Sequence, residues 1–106
     1  MNIQFEMIAS EFLKQGKLHA IAKANVEMLE ESKKSVLASE ASKYEGSEAY
    51  RERMARQSES YKKFLKGWQE AIQKELELKY TLDSLRMQFE YERSMNSTRR
   101  AEMSLQ

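Results

Sequence analysis

The sequence has no cysteine, no proline and only three glycines, Gly16, Gly46 and Gly67. Without thiols, neither a disulfide framework nor a cysteine-based zinc site can form. Without proline, and nearly without glycine, the strongest interruptions of a helix are missing. Valine occurs only at Val26 and Val36, and no β-branched alternation is visible, so strands are not expected. Long apolar runs are also lacking. Nothing approaches the roughly 18 apolar residues of a membrane span, and Glu6 and Glu11 interrupt the start of the chain, so neither a membrane partner nor a signal peptide is expected. The absence of thiols fits a reducing compartment, and the expected location is cytoplasmic.

Catalytic apparatus is equally scarce. The one histidine, His19, would have to carry any imidazole-based metal site or triad alone. No phosphate-binding glycine loop, HExxH or GxSxG is present. We therefore expect no enzyme, no catalytic residue, no metal, no cofactor and no small-molecule substrate. His19, beside Leu18, reads as a helix residue at the solvent edge.

What is present favours helix. Ala, Glu, Lys, Leu, Met, Gln and Arg, all good helix formers, dominate the 106 residues. This length allows one domain at most, and 41% hydrophobic against 33% charged content leaves it a thin core. Residues 3–15 read as a short first helix with Phe5, Ile8 and Phe12 on one face, ended or kinked at Gly16. Residues 17–43 read as a long arm whose seam runs Leu18, Ala22, Asn25, Leu29, Ser32, Val36, Ser39 and Lys43. Asn25 at such a position would fix register, as a buried Asn does in coiled coils. Lys43-Tyr44-Glu45-Gly46-Ser47 reads as a turn at 44–47, with Gly46 suited to a left-handed C′ position and Ser47 to the N-cap of the next helix. A second arm covers 48–95, with a possible break near 58–60 at Ser58 and Ser60. A polar, basic tail, 96–106, is expected to be frayed or ordered only in an assembly. Pairs such as Glu30–Lys34, Glu52–Arg56 and Glu59–Lys63 at i,i+4 support long solvated helices at about 0.2–0.5 kcal/mol each.

The second arm opens on a stripe of Tyr61, Leu65, Trp68, Ile72 and Leu76, which then divides. At 100° per residue, Leu78, Leu82, Leu85 and Phe89 share one sector, and Leu76, Tyr80, Met87 and Tyr91 share the opposite one. A surface helix needs one apolar stripe, and a second stripe needs a second partner. The first face is expected to continue the hairpin or receive the Phe5/Ile8/Phe12 segment, and Leu76, Tyr80, Met87 and Tyr91 to meet a neighbouring subunit. The expected fold is thus all-α: a long antiparallel helical hairpin with a short N-terminal helix, assembled into a helical-bundle homo-oligomer. Met28, Met54, Met87 and Met95 read as core filler or, alternatively, as an adaptable partner surface.

Net charge is only +1, so bulk electrostatics do not announce nucleic acid. The charge is uneven, however: residues 51–66 hold six basic side chains against two acidic. Lys43, Tyr44, Tyr50, Arg51, Arg53, Arg56, Tyr61, Lys62, Lys63 and Lys66 form the candidate nucleic-acid surface. Single-stranded nucleic acid is held by this combination, with cations on phosphates and rings stacked on bases. The competing reading is that the charges solvate the hairpin end and the tyrosines pack.

The stretch Leu85-Arg86-Met87-Gln88-Phe89-Glu90-Tyr91-Glu92-Arg93-Ser94, with Ser97-Thr98-Arg99-Arg100-Ala101-Glu102-Met103 after it, resembles small all-helical proteins of tailed bacteriophages encoded in recombination and replication clusters. More distantly, the layout is similar to recombination mediators of the UvsY type: a long helix ending in Lys43-Tyr44-Glu45-Gly46, a polar Ser-containing stretch, then an aromatic-led helix from Tyr61 to Phe89. The resemblance spans roughly residues 30–93. It implies ring-like oligomers in the host cytoplasm that bind single-stranded DNA and recombination proteins. Lys43 is the position it carries over as a DNA contact. Ala38 and Glu40 stand where the family pattern favours basic residues, and the Arg51–Lys66 stretch would take over that role. The alternatives are a phage-encoded module that inhibits or adapts a host protein, presenting the Met- and aromatic-rich helix to it, and a purely structural coiled-coil assembly.

Overall fold

The computed structural model describes residues 3–105; Met1, Asn2 and Gln106, the ends of the expected domain, lie outside the described residues. Among the described residues the chain is all-α, with three helices and no strand: α1 Ile3–Ala41, α2 Glu48–Gln57 and α3 Glu59–Ser104. Their contacts cluster into two units. One joins the residues up to Ala20 to those from Leu76 onward, and the other comprises Ile21–Glu75.

Helix α1 runs straight through Gly16 for 39 residues, so the short helix 3–15 and the arm 17–43 are one element. A glycine costs a helix about 1 kcal/mol relative to alanine, and good helix formers on both sides absorb that cost. Helix α3 likewise continues through the tail to Ser104. Nothing in Ser97-Thr98-Arg99-Arg100-Ala101-Glu102 stops it, and the Thr98 hydroxyl donates back to the Ser94 carbonyl at 3.1 Å within the turn.

In the Ile21–Glu75 unit, the buried and half-buried positions of α1 include Ala22, Val26, Leu29, Lys33, Val36 and Glu40, with Ser32 and Leu37 beside them, and those of α3 include Tyr61, Phe64, Trp68, Ala71 and Glu75, with Leu65 and Ile72 beside them. Steps of four and three alternate along both rows, the 3.5-residue period of a coiled-coil seam. Lys33 lies over the Trp68 ring at 5.1 Å, and Glu40 meets Ser58 and Ser60, so the two segments run antiparallel. In the other unit, Phe5, Ile8, Phe12, Gln15 and His19 continue the same period on α1, and Leu78, Leu82, Leu85, Phe89 and Glu92 on α3. The Phe5 and Phe89 rings meet at 4.5 Å.

This seam corrects the one expected from the sequence. Ala22, Leu29 and Val36 belong to both and Ser32 is half-buried beside them, but Leu18, Asn25, Ser39 and Lys43 are exposed, so Asn25 fixes no register. His19, Val26, Lys33 and Glu40 stand one position further on and face inward, and His19 is half-buried rather than at the solvent edge. Two of these carry charge, yet each has a partner: the Trp68 face for the Lys33 ammonium and Lys43 for the Glu40 carboxylate.

The turn between α1 and α2 closes with bonds from Lys43 N–H to the Glu40 carbonyl and from Tyr44 N–H to the Ala41 carbonyl, at 3.1 and 3.2 Å. Gly46 has φ 125°, but it lies five residues beyond the last helical residue, a turn glycine rather than a helix C′. Ser47 caps α2, accepting from Tyr50 N–H at 3.2 Å. A Cβ at Gly46 would stand 3.1 Å from the Tyr50 ring. Gly46→Ala is therefore expected to cost about 1–2 kcal/mol, seen as a lower urea midpoint at unchanged slope. An unmoved midpoint would show that the turn does not depend on this backbone conformation.

Ser58 alone separates α2 from α3. Its backbone is extended (φ −69°, ψ 149°). Its hydroxyl donates to the Ala55 carbonyl at 2.7 Å and accepts from Tyr61 N–H at 3.2 Å, so one side chain ends a helix and caps the next. Ala55 and Tyr61, on either side, are 0% and 2% exposed.

Candidate functional site

The structure sorts the ten candidate nucleic-acid residues into groups with different chemistry. Tyr61 belongs to the core, its ring stacked beside Phe64 with centroids 6.3 Å apart, so it offers no face to a base; this corrects its place in the candidate surface. The reason is its position: it opens α3 at the seam, where the large inward-facing residue sits against the chain reversal. Tyr44 is half-buried, and Arg51 is half-buried beside a groove lined by Lys34, Leu37, Ala38 and Ala41. Lys43 is bound to Glu40 at 2.7 Å and Arg56 to Glu52 at 2.8 Å. Of the candidate cationic side chains, these two are engaged by carboxylates of their own chain.

Five residues remain outward. Tyr50 is exposed on α2 with the Arg53 guanidinium 5.5 Å over its ring. Lys62, Lys63 and Lys66 are exposed on the first two turns of α3. The aromatic-and-cation pairing that single strands require thus contracts from ten side chains to the Tyr50–Arg53 pair and the three lysines.

Glu40 is the residue that sequence reasoning passed over, noting it only as a departure from a basic pattern. It is buried, at 7% exposure. The hydrogen bond from the Lys43 ammonium is the main reason its carboxyl titrates below the ordinary range; burial opposes this, and the charge of Lys43 and the hydroxyls of Ser58 and Ser60 add to it. The same hydrogen bond raises the Lys43 pKa. Glu40 therefore ties the end of α1 to the α2–α3 junction. A carboxylate whose native pKa is depressed contributes stability that is complete above its unfolded pKa, about 4.3. That contribution is lost as pH falls through the lower native value. Glu40→Gln should accordingly flatten the loss of stability below about pH 4.3 and weaken the fold at neutral pH. Thermal melts at both pH values check this, and parallel pH profiles for the two proteins would refute it.

The second candidate surface lies on α3 in the unit that begins at Leu76. Leu78, Leu82, Leu85 and Phe89 are half-buried towards α1, while Tyr80, Met87 and Tyr91 are 71%, 73% and 62% exposed; Leu76, at 42%, is the least exposed of this face. Met7, Leu13 and Leu18 on α1 add further exposed apolar side chains to this unit. Leu18 was expected inside; counting the period forward from Phe5, Ile8 and Phe12, rather than restarting after Gly16, would have placed it outside.

Among the described residues, no group of three His or acidic side chains is placed to hold a metal, and no helix is long and apolar enough to cross a membrane. Comparison with protein-family models, with curated proteins and with solved structures finds no match.

Proposed function

We propose that this chain is a non-enzymatic assembly protein: an antiparallel helical hairpin that binds a second copy of itself through the outward stripe Leu76, Tyr80, Met87 and Tyr91. The observation that carries this reading is the exposure of three large apolar side chains in register on a helix whose other apolar row is already occupied. Isolated exposed apolar residues are ordinary, but several on one face, here two pairs on either side of Ser84, mark a contact site. Light scattering over a range of concentrations tests it. A mass above that of the 12.5 kDa chain, rising with concentration, is expected; a fixed monomer mass would remove the reading.

A second reading keeps the resemblance to phage recombination proteins. Assembled copies would align several Tyr50–Arg53 pairs and Lys62/Lys63/Lys66 clusters, and weak single-copy contacts to single-stranded DNA would be multiplied by effective concentration. The favouring observation is that none of these three lysines has a carboxylate partner among the described residues. Fluorescence anisotropy with labelled oligo-dT at ~50 mM salt, where several phosphate contacts would hold, decides it. Absence of binding there leaves self-assembly or a host-protein adaptor as the function.

A further inference from the structure

The charges beside the outward stripe specify the direction in which a second copy would lie. Along α3, Tyr80 and Met87 are at the centre of the stripe, with Leu76 and Tyr91 within about 40° of it at 100° per residue. One flank reads Lys79, Asp83, Arg86, Glu90, and the sign of charge alternates at every step. The flank on the other side carries Thr81 and Gln88 over the same span and is uncharged there. Glu77 and Glu92, at its ends, are both engaged within their own chain.

When two copies of one helix pack about a twofold axis perpendicular to them, each flank meets the same flank of its partner read backwards. Read backwards, the charged flank sets Lys79 against Glu90 of the second copy and Asp83 against Arg86, so every meeting is between opposite charges. The same reversal sets Tyr80 against Met87 and Leu76 against Tyr91. The charged pairs centre between residues 84 and 85 and the apolar pairs between 83 and 84, only about 1.5 Å apart along the helix, so one axis beside Ser84 serves both rows. A parallel pair would instead turn the charged flank towards Glu77, Thr81 and Gln88, which answer Lys79 but offer no countercharge to Asp83, Arg86 or Glu90.

We infer that α3 binds a second copy of itself antiparallel, about a twofold axis at Ser84. This rests on the self-association reading above and adds to it a direction and a register. Within one chain Asp83 and Arg86 stand 3.8 Å apart and largely solvated, as do Glu90 and Arg93. These loose contacts leave Asp83, Arg86 and Glu90 available to a partner. Complementary charge of this kind fixes register and excludes other orientations more than it adds affinity.

The natural absence of cysteine makes the test direct. Ser84→Cys and Ser94→Cys each place one thiol on an exposed position of α3. Each variant is oxidised at a concentration where the unmodified protein self-associates by light scattering. In the antiparallel pair the two copies of residue 84 adjoin the axis. The two copies of residue 94 lie roughly 30 Å apart at 1.5 Å per residue, far beyond the ~7 Å between Cα atoms that a disulfide spans. Ser84→Cys is therefore expected to form a covalent dimer many times faster than Ser94→Cys. Equal linking of both would mean parallel packing and would overturn the inference while leaving self-association intact. Linking of neither, in a protein that still associates, would place the contact elsewhere. A monomer at every concentration would instead remove the underlying reading.

Discussion

Tyr61→Ala is expected to lower the melting temperature by more than about 12 °C. Truncating a buried aromatic side chain costs about 3–5 kcal/mol, and each kcal/mol moves the midpoint of a chain this size by about 4–8 °C. The effect is large because the core is small. Among the described residues the buried hydrophobic ones are Ile8, Ala22, Ala55 and Tyr61, and Tyr61 is the only aromatic one among them. Tyr61→Phe keeps the packed volume and should stay within about 1.5 kcal/mol of the unmodified protein. Calorimetry on the two variants checks both statements. If Tyr61→Ala melted normally but lost affinity for oligo-dT, the ring would be a base-stacking group and the packing argument would be wrong.

Leu82→Lys and Met87→Lys are expected to part company, although both replace an apolar residue of one helix by the same cation. Leu82 is half-buried on the row facing α1, between Leu78 and Leu85. A lysine there forfeits that burial and sets an ammonium against an apolar row, so a loss of about 2 kcal/mol or more follows. Met87 is 73% exposed, and a surface substitution of this kind changes stability by only about 0.5 kcal/mol. Circular dichroism melts should show Leu82→Lys destabilised and Met87→Lys unchanged, and light scattering should show Met87→Lys folded but shifted to lower mass. A Met87→Lys protein with unaltered association would sink the outward stripe as a contact, and a Leu82→Lys protein of full stability would sink the inward row.

The helical character and the division of 76–92 into two faces were legible because both follow from local periodicity and composition. The approach of Phe5 to Phe89 realises one of the two alternatives open in the sequence, the Phe5/Ile8/Phe12 face against the Leu78/Leu82/Leu85/Phe89 row, but periodicity alone does not name the pair that meets. The seam of α1 was not legible, because its true row passes through His19, Lys33 and Glu40 while an alternative row one residue away passes through Leu18 and Asn25. Single-residue polarity cannot choose between them when a lysine is satisfied by a ring and a glutamate by a neighbouring lysine. Gly16 is the opposite case: one glycine costs a helix only about 1 kcal/mol, and the good helix formers on both sides of it carry α1 across. Tyr61 looked like a ligand-facing aromatic because basic residues surround it in sequence, yet on a helix its neighbours Lys62 and Lys63 point elsewhere. The free cations at Lys62, Lys63 and Lys66 follow from the same geometry.

The placement of Ala55 and Tyr61 beside the chain reversal also bears on the order in which the molecule assembles itself. Closing a short loop costs little chain entropy, and each later contact between α1 and α3 then closes a loop already held at one end. Pairing that starts from Glu40, Ala55 and Tyr61 and zips outward closes the shortest loop between α1 and α3 first, and so costs the least chain entropy. Phe5 and Phe89 meet last on that route, and the stretch bearing Tyr80, Met87 and Tyr91 is completed among the late steps. On the self-association proposed above, a nascent chain whose arms pair by this route would have the inward row of α3 covered before a second copy docks on the outward one, which would guard against entanglement between copies during synthesis.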